Sequence, residues 1–279
     1  MCIRDSYYAS RYGGTVLQDI DHLSSEDMSV TDTFRVVSRF FDRITRPEQI
    51  LTSLPEAMRM MTNPAETGAV TIALPQDIQG YAYDYPTRFF EKRVWRIERS
   101  CPNPERIEEA TDLLKCAKKP YIIAGGGIHY SEAWNELAAF SKQLGIPVGE
   151  THAGRGSIQS DSELLLGGTG HLGTPGAGRI SEEADVVLCV GTRLHDFVTG
   201  SNSAFQNPVV RFISINVNDR DAFKLGALPI VADARLALSA LLEAGIQAGI
   251  QPQKDWVNKV RFVKGSWENI KNTEVFIQH

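Results

Sequence analysis

The sequence predicts an α/β protein in which part of one unit is followed by a doubly wound, mostly parallel second unit. Residues 69–74 form an apolar run broken by Thr71, as expected for a parallel strand covered on both faces. From residue 104 onward, short apolar strands alternate with amphipathic helices. That alternation is typical of a parallel sheet with helices on both sides.

Composition and charge limit the classes of function. The chain has 279 residues, of which 42% are hydrophobic and 23% charged, and its net charge is −5. These values are ordinary for a globular protein, and a nucleic-acid-binding face would normally show a basic patch. No apolar run approaches the roughly 20 residues of a membrane span, and no secretory pattern is present. We therefore expect no nucleic-acid partner and no membrane association. The four cysteines have no C-x-x-C spacing, so a structural zinc site is not indicated. Free thiols suit a reducing compartment, and we expect the protein in the cytoplasm.

The first unit is predicted to span residues 7–80. Residues 1–6 fit nothing that follows and are expected to be an artefact of reading-frame assembly, without a strand. Residues 7–35 are predicted to form a loop and a short helix. A longer helix should open at Thr45, just before Pro47. Its predicted buried stripe consists of Ile50, Leu54, Ala57, Met58 and Met61.

Two segments are predicted to connect domains. Residues 81–103 are rich in aromatic and charged side chains and are too apolar for a flexible linker. We expect this connector to lie on a domain surface. Residues 247–279 are amphipathic but poorly punctuated, and are expected to be a linker toward a diphosphate-binding domain missing from the chain.

The central unit is predicted to span residues 104–246. Asn103 and Pro104 should start its first helix, and Ser131 should be the N-cap of its second. The predicted helices are 104–117, 131–144 and 234–244, and the predicted strands are 120–124, 146–150, 186–190, 212–217 and 229–232.

A triple-glycine loop follows the first strand of this unit, and consists of Gly125, Gly126 and Gly127. Doubly wound folds bind nucleotides at such strand ends, because free N–H groups and a helix N-terminus suit phosphate. The third glycine of the dinucleotide fingerprint is missing, and Glu150 is the one acidic residue that could close the second strand. A tight turn with at least one positive φ explains the glycines equally well, so both interpretations stay open.

Polar residues follow two further strands and should line the same edge as the glycines. Thr192, Arg193 and Asn216 are therefore candidate cofactor-binding residues, although strand-end polar residues also cap helices. No metal site is predicted, because the six histidines are scattered without i, i+4 spacing. Residues 200–204 do not form a G-x-S-x-G nucleophile motif, so a serine hydrolase is not indicated. Cys189 lies inside an apolar strand and is predicted to be buried.

Several motifs resemble those of a known superfamily. Residues 67–77 look like the end of a pyrimidine-binding domain of thiamine-diphosphate enzymes of the acetolactate-synthase and pyruvate-oxidase type. The triple-glycine loop resembles the first of several central-domain motifs, the others being Pro147, Thr151, Gly168, Gly191, Thr192, Arg193, Asp233 and Ala234. Five short segments resemble the trihydroxycyclohexanedione hydrolase family of inositol catabolism, namely residues 29–35, 46–49, 64–68, 96–99 and 203–208.

The resemblance implies a pyrimidine-binding, a central and a diphosphate-binding domain, with thiamine diphosphate and Mg²⁺ bound in the intact parent. The chain would hold the C-terminal part of the first domain and all of the second. The glutamate that activates the cofactor would precede the chain. The metal-binding motif would follow it, because no Gly-Asp-Gly with a later Asn occurs after a strand here. This piece, truncated at both ends, is expected to be inactive and to bind neither cofactor.

The resemblance further implies a hydrolase that cleaves a C–C bond of a cyclic 1,2-diketone, with a small-molecule substrate and a homo-oligomeric state. Three alternatives stay open. One is an acetolactate-synthase-like lyase with FAD in its central domain. The second is a nucleotide-binding module without catalysis, and the third is a purely structural domain.

Overall fold

The computed structural model describes residues 2–5 and 30–272. The chain divides into two compact units, Met1–Glu98 and Arg99–His279. Each unit has its own parallel sheet and its own buried core. The short helix predicted between residues 7 and 35 falls largely outside the described residues, which include a 3-10 helix at Val30–Phe34.

The first unit has a three-stranded sheet of order β1-β3-β2, in which both neighbouring pairs are parallel. The expectation that residues 1–6 form no strand is wrong, because Cys2 pairs with Ile72 and Asp5 with Pro75. A ladder needs an extended backbone beside a free strand edge, and that requires no strong sequence pattern. The described elements are β1 (Cys2–Asp5), β2 (Phe40–Arg43), α1 (Ile50–Thr62), β3 (Val70–Pro75) and α2 (Gln76–Gln79).

Helix α1 packs on this sheet with a face that matches only part of the predicted stripe, namely Ala57 and the partly buried Ile50. Ser53 and Ala57 are its buried residues, whereas Leu54 and Met61 are 40% and 44% exposed. The Ser53 hydroxyl hydrogen-bonds the Asp42 carboxylate on β2, which turns a polar residue toward the sheet. The core of this unit comprises Ile44, Ala57, Val70, Ile72 and Ile78.

The second unit has a six-stranded, entirely parallel sheet of order β6-β5-β4-β7-β8-β9, which confirms the predicted doubly wound fold. Its strands are β4 (Pro120–Ala124), β5 (Val148–Glu150), β6 (Leu165–Gly168), β7 (Val186–Val190), β8 (Arg211–Asn216) and β9 (Leu228–Val231). Its helices are α3 (Pro104–Cys116), α4 (Gly127–Tyr130), α5 (Trp134–Leu144), α6 (Pro175–Glu183), α7 (Asp196–Thr199), α8 (Asp219–Ala222), α9 (Ala234–Gln247) and α10 (Lys254–Asn272).

Helices cover both faces of this sheet, as the alternation along its central strand shows. Ile122 on β4 belongs to the core that includes residues of α3, α5 and α9. Its neighbours Tyr121 and Ile123 belong to the opposite core, with residues of α6 and α10. All three side chains are fully buried, which explains why the strand is continuously apolar.

The predicted helix 131–144 starts later than expected. Residues Gly127–Tyr130 form one separate turn, and α5 begins at Trp134 with Ala133 as its N-cap. Ser131 does not cap α5, because its hydroxyl accepts a hydrogen bond from the backbone N–H of Ala234 at 3.3 Å. A tertiary contact to the start of α9 has therefore replaced the local cap.

The expected linker 247–279 contains a long helix that is part of the second unit. Trp256, Val260 and Val263 on α10 recur at i, i+4 and i+7, and all three are buried against the sheet. The indole Nε1 of Trp256 donates to the backbone oxygen of Pro120 at 2.9 Å. The sequence pattern was amphipathic because it belongs to a packed helix.

Candidate functional site

The strand order places a switch point between β4 and β7, where the winding direction of the sheet reverses. In doubly wound folds the ligand crevice opens at this point, beyond the carboxyl ends of the strands. The triple-glycine loop follows β4, and Gly191, Thr192 and Arg193 follow β7. The structure therefore brings the sequence-predicted residues to one edge of the sheet.

The triple-glycine loop owes its composition to close backbone packing. The expectation of a positive φ within it is wrong, since the positive φ of this region, +60°, occurs at Gly191. A Cβ at Gly125 would lie 2.8 Å from Thr192 Cα, and one at Gly127 would lie 2.5 Å from Gly191 Cα. Real Cβ atoms essentially never approach so closely. Glycine is required here because two strand-end loops touch backbone to backbone.

The side chain of Asn216 and the backbone carbonyls of Thr192 and Arg193 are hydrogen-bonded within the protein. Asn216 donates from Nδ2 to the Thr192 carbonyl at 3.0 Å, and its Oδ1 accepts from the Asn218 N–H at 3.0 Å. The Arg193 carbonyl accepts from Lys224 Nζ at 2.7 Å, while the Arg193 side chain is exposed. These hydrogen bonds connect the loop after β7 to the loop after β8.

Sequence reasoning missed a partly buried ion pair at the same edge. Arg99, at the start of the second unit, donates to the Asp233 carboxylate at 2.8 Å and to the Ser131 carbonyl at 2.9 Å. Asp233 also caps α9 through the backbone N–H groups of Arg235 and Leu236. An aspartate just before a helix was a readable signal, but nothing local indicated its arginine partner.

Two buried titratable groups on the α6 and α10 face are not acid–base candidates. Burial raises the pKa of the Cys189 thiol and of the Tyr121 phenol, because their charged forms would lose hydration. Both side chains are fully buried, so the prediction for Cys189 is confirmed. They fill the core and would stay neutral at physiological pH.

The described residues contain no group of three or more His, Cys, Asp or Glu side chains that could hold a metal ion. None of the helices in the described part of the chain is long and apolar enough to cross a membrane. A groove of about 250 Å³ lies along α10 and is formed by none of the carboxyl-edge loops. It is lined by Pro252, Lys254, Val257, Asn258 and Arg261.

Comparison with known proteins finds a family model that matches residues within this unit. Residues 107–241 match the family described as "Thiamine pyrophosphate enzyme, central domain", within the predicted limits of 104–246. The second unit is therefore similar to the central domain of the thiamine pyrophosphate enzymes.

Relatives that match most of the chain have a more specific name than the domain family. The chain is 46% identical over 261 residues to 3D-(3,5/4)-trihydroxycyclohexane-1,2-dione hydrolase of Bacillus cereus (strain AH820), which covers 94% of this chain and 40% of the relative. It is 48% identical over 236 residues to the protein of the same name from Bacillus thuringiensis (strain Al Hakam), covering 85% of this chain and 37% of that relative. The chain thus spans about 40% of the length of the curated relatives that it matches.

Proposed function

We propose that this chain is the middle part of a thiamine-diphosphate-dependent hydrolase, which cleaves a C–C bond of trihydroxycyclohexanedione, a cyclic 1,2-diketone, in inositol catabolism. The observation that carries the proposal is the 46% identity across 94% of the chain, which includes both units and the connector. A match limited to the central domain would have left the substrate class open, because sister enzymes share that domain.

In this proposal the chain supplies scaffold, and the parent supplies the chemistry. Thiamine diphosphate would provide the carbanion that attacks the ring carbonyl, and Mg²⁺ would hold its diphosphate. Neither the activating glutamate nor the magnesium motif occurs at a matching position in the sequence. We therefore assign no catalytic residue to this chain and expect the isolated chain to be inactive. A homo-oligomer in the cytoplasm is part of the same proposal.

A domain exchange tests the proposal directly. The matching segment of the Bacillus cereus relative is replaced by residues 7–279, and ring opening of trihydroxycyclohexanedione is measured with thiamine diphosphate and Mg²⁺. We expect the chimera to be active and the isolated chain to be inactive. A folded chimera that forms acetolactate from pyruvate and leaves the diketone intact would favour the lyase alternative.

A further inference from the structure

The second unit has the same strand order as the doubly wound proteins that bind dinucleotides. Such binding has three structural requirements at the switch point. The glycine loop must leave room for a pyrophosphate, its N–H groups must be free to donate, and an acidic residue at the end of the second strand must reach the ribose.

The room above the triple-glycine loop is taken by protein backbone on two sides. Gly191 lies against Gly125 and Gly127, as described above. On the other side, a Cβ at Gly126 would lie 3.3 Å from the Cβ of Ala153, and one at Gly154 would lie 2.9 Å from Gly125 Cα. The loop that follows β5 therefore covers the place where a pyrophosphate would lie.

The N–H groups of the triple-glycine loop are mostly committed to the protein. The Gly125 N–H donates to the Val190 carbonyl at 2.8 Å, and the Gly127 N–H donates to the Gly191 carbonyl at 3.0 Å. Gly126 has no hydrogen bond from its N–H to the residues that the structure describes. One remaining donor does not make the multi-donor cradle that a pyrophosphate requires.

The acidic residue at the end of the second strand is Glu150, which is 6% exposed and faces its own loop. Its Oε1 accepts hydrogen bonds from the Gly156 N–H at 3.0 Å, the Ser157 hydroxyl at 3.1 Å and the Ile158 N–H at 3.3 Å. A carboxylate that accepts three bonds from one loop holds that loop closely.

Residues 151–158, which we call the latch segment, have two more anchors beside the triple-glycine loop. The Thr151 N–H donates to the Ala124 carbonyl at 2.9 Å. His129 Nδ1 accepts from the indole of Trp134 at 2.9 Å, so its Nε2 carries the proton and donates to the Arg155 carbonyl at 3.2 Å. The segment is thus tied at its start, middle and end.

We propose that the latch segment, held by Glu150, closes the switch point of this central domain, so that the domain binds no dinucleotide. The acid that would read a ribose in an open fold serves here as the anchor of the closing loop. The inference goes beyond the proposed function and separates the chain from the alternatives in which FAD or another nucleotide lies in this domain.

Titration of the full 279-residue chain tests the closure. FAD, NAD⁺ and ADP are each added in a calorimeter, and we expect dissociation constants weaker than about 100 μM for all three. A tighter dissociation constant for any of them would overturn the proposal. The measurement uses this chain alone, so failure of the chimera described above would leave its result unaffected.

Hydrogen exchange at the amides of Gly156 and Ile158 tests the latch. Glu150→Gln should speed exchange there about tenfold, because a neutral acceptor makes weaker hydrogen bonds, and Glu150→Ala should speed it further. The exposed Glu163→Gln is the matched control and should leave both amides unchanged. If the alanine variant does not fold, the glutamine variant still decides the result. Unchanged exchange in Glu150→Gln would show that Glu150 does not hold the segment.

Discussion

The two units differ in the size of the buried core that their described residues form. In the second unit Ile122 and Ile123 are neighbours on β4, point to opposite faces, and are both fully buried by helices of that unit. The first unit has a described core of five residues, while Leu54 and Met61 on its main helix are 40% and 44% exposed. The difference teaches that a continuously apolar strand predicted burial in both units, whereas the amphipathic pattern of α1 did not predict which of its side chains are buried.

Removal of α10 should have the largest effect, because it uncovers part of one face of the central sheet. A chain that ends at residue 250 loses the buried side chains of Trp256, Val260 and Val263. Since a domain has roughly 5–15 kcal/mol of stability, we expect the second unit to lose its cooperative thermal transition. Calorimetry of both chains checks this, and an unchanged transition would mean that α10 is a linker after all.

Two tryptophan substitutions, one in α10 and one in the connector, test the same prediction with single residues. Trp256→Ala should lower the free energy of unfolding by about 4 kcal/mol, because a large buried side chain is lost. Trp95→Ala in the connector should change it by less than about 0.5 kcal/mol, because Trp95 is 36% exposed.

Alanine substitutions of glycines in the second unit should destabilise it where the glycine is tightly packed, and should not where the space around it is open. Gly127→Ala should lower the free energy of unfolding by about 3 kcal/mol, since its Cβ meets the Gly191 backbone. Gly126→Ala should lower it by about 1 kcal/mol, because its contacts with Ala153 are less close. Gly178→Ala in α6 has no atom within 4 Å and should stabilise the helix by about 0.5 kcal/mol. Urea denaturation of the three variants measures these differences, and equal effects at all three positions would refute the packing explanation.

The partly buried ion pair of the second unit should contribute more to stability than an exposed pair in the first. Arg99→Ala should cost about 2 kcal/mol, because it leaves the Asp233 carboxylate, only 6% exposed, without its cation. Arg59→Ala removes exposed contacts to Glu56 and Glu66 and should leave the free energy of unfolding nearly unchanged. Chemical denaturation compares the two variants, and the comparison fails if Arg59→Ala proves the more destabilising.

The smallest effect should be a pH dependence at the contact between α6 and α10. Hydrogen bonds from Lys259 and Lys119 hold the pKa of Glu183 below its usual value of 4.5. A lowered pKa in the folded state means that the stabilisation is present above pH 4.5 and is lost as pH falls through the folded pKa. The melting temperature of the second unit should therefore fall less with acidification in Glu183→Gln than in the unaltered chain. Parallel melting curves of the two proteins would contradict this assignment.

The fold of the second unit was largely readable from sequence because its helices and strands carry strong local patterns. Strands 120–124 and 186–190 were predicted at the residues where β4 and β7 lie. The first helix was predicted within one residue, because Asn103 and Pro104 are local signals that the structure uses as a cap and a first-turn proline. The strand β6 was missed, because its sequence ends in two glycines that favour a loop prediction.

The sequence predicted which residue types lie at the candidate site, but not whether the site is open or filled by the protein. The sequence by itself placed glycines and polar residues at the ends of the right strands, because strand ends and turns have local chemical signals. It could not show that Gly191 and Gly154 fill the space around the triple-glycine loop, since those contacts join residues far apart in the chain.

Tertiary structure also decided the roles of Glu150, Ser131 and Arg99, none of which has a local signature. Glu150 bonds the latch segment, Ser131 bonds the start of α9, and Arg99 neutralises Asp233. Local sequence determines which backbone conformation a segment prefers, because that preference depends on neighbouring residues. The partner of a buried polar group depends on which distant segments the fold brings within hydrogen-bonding distance, and only the folded chain fixes that choice.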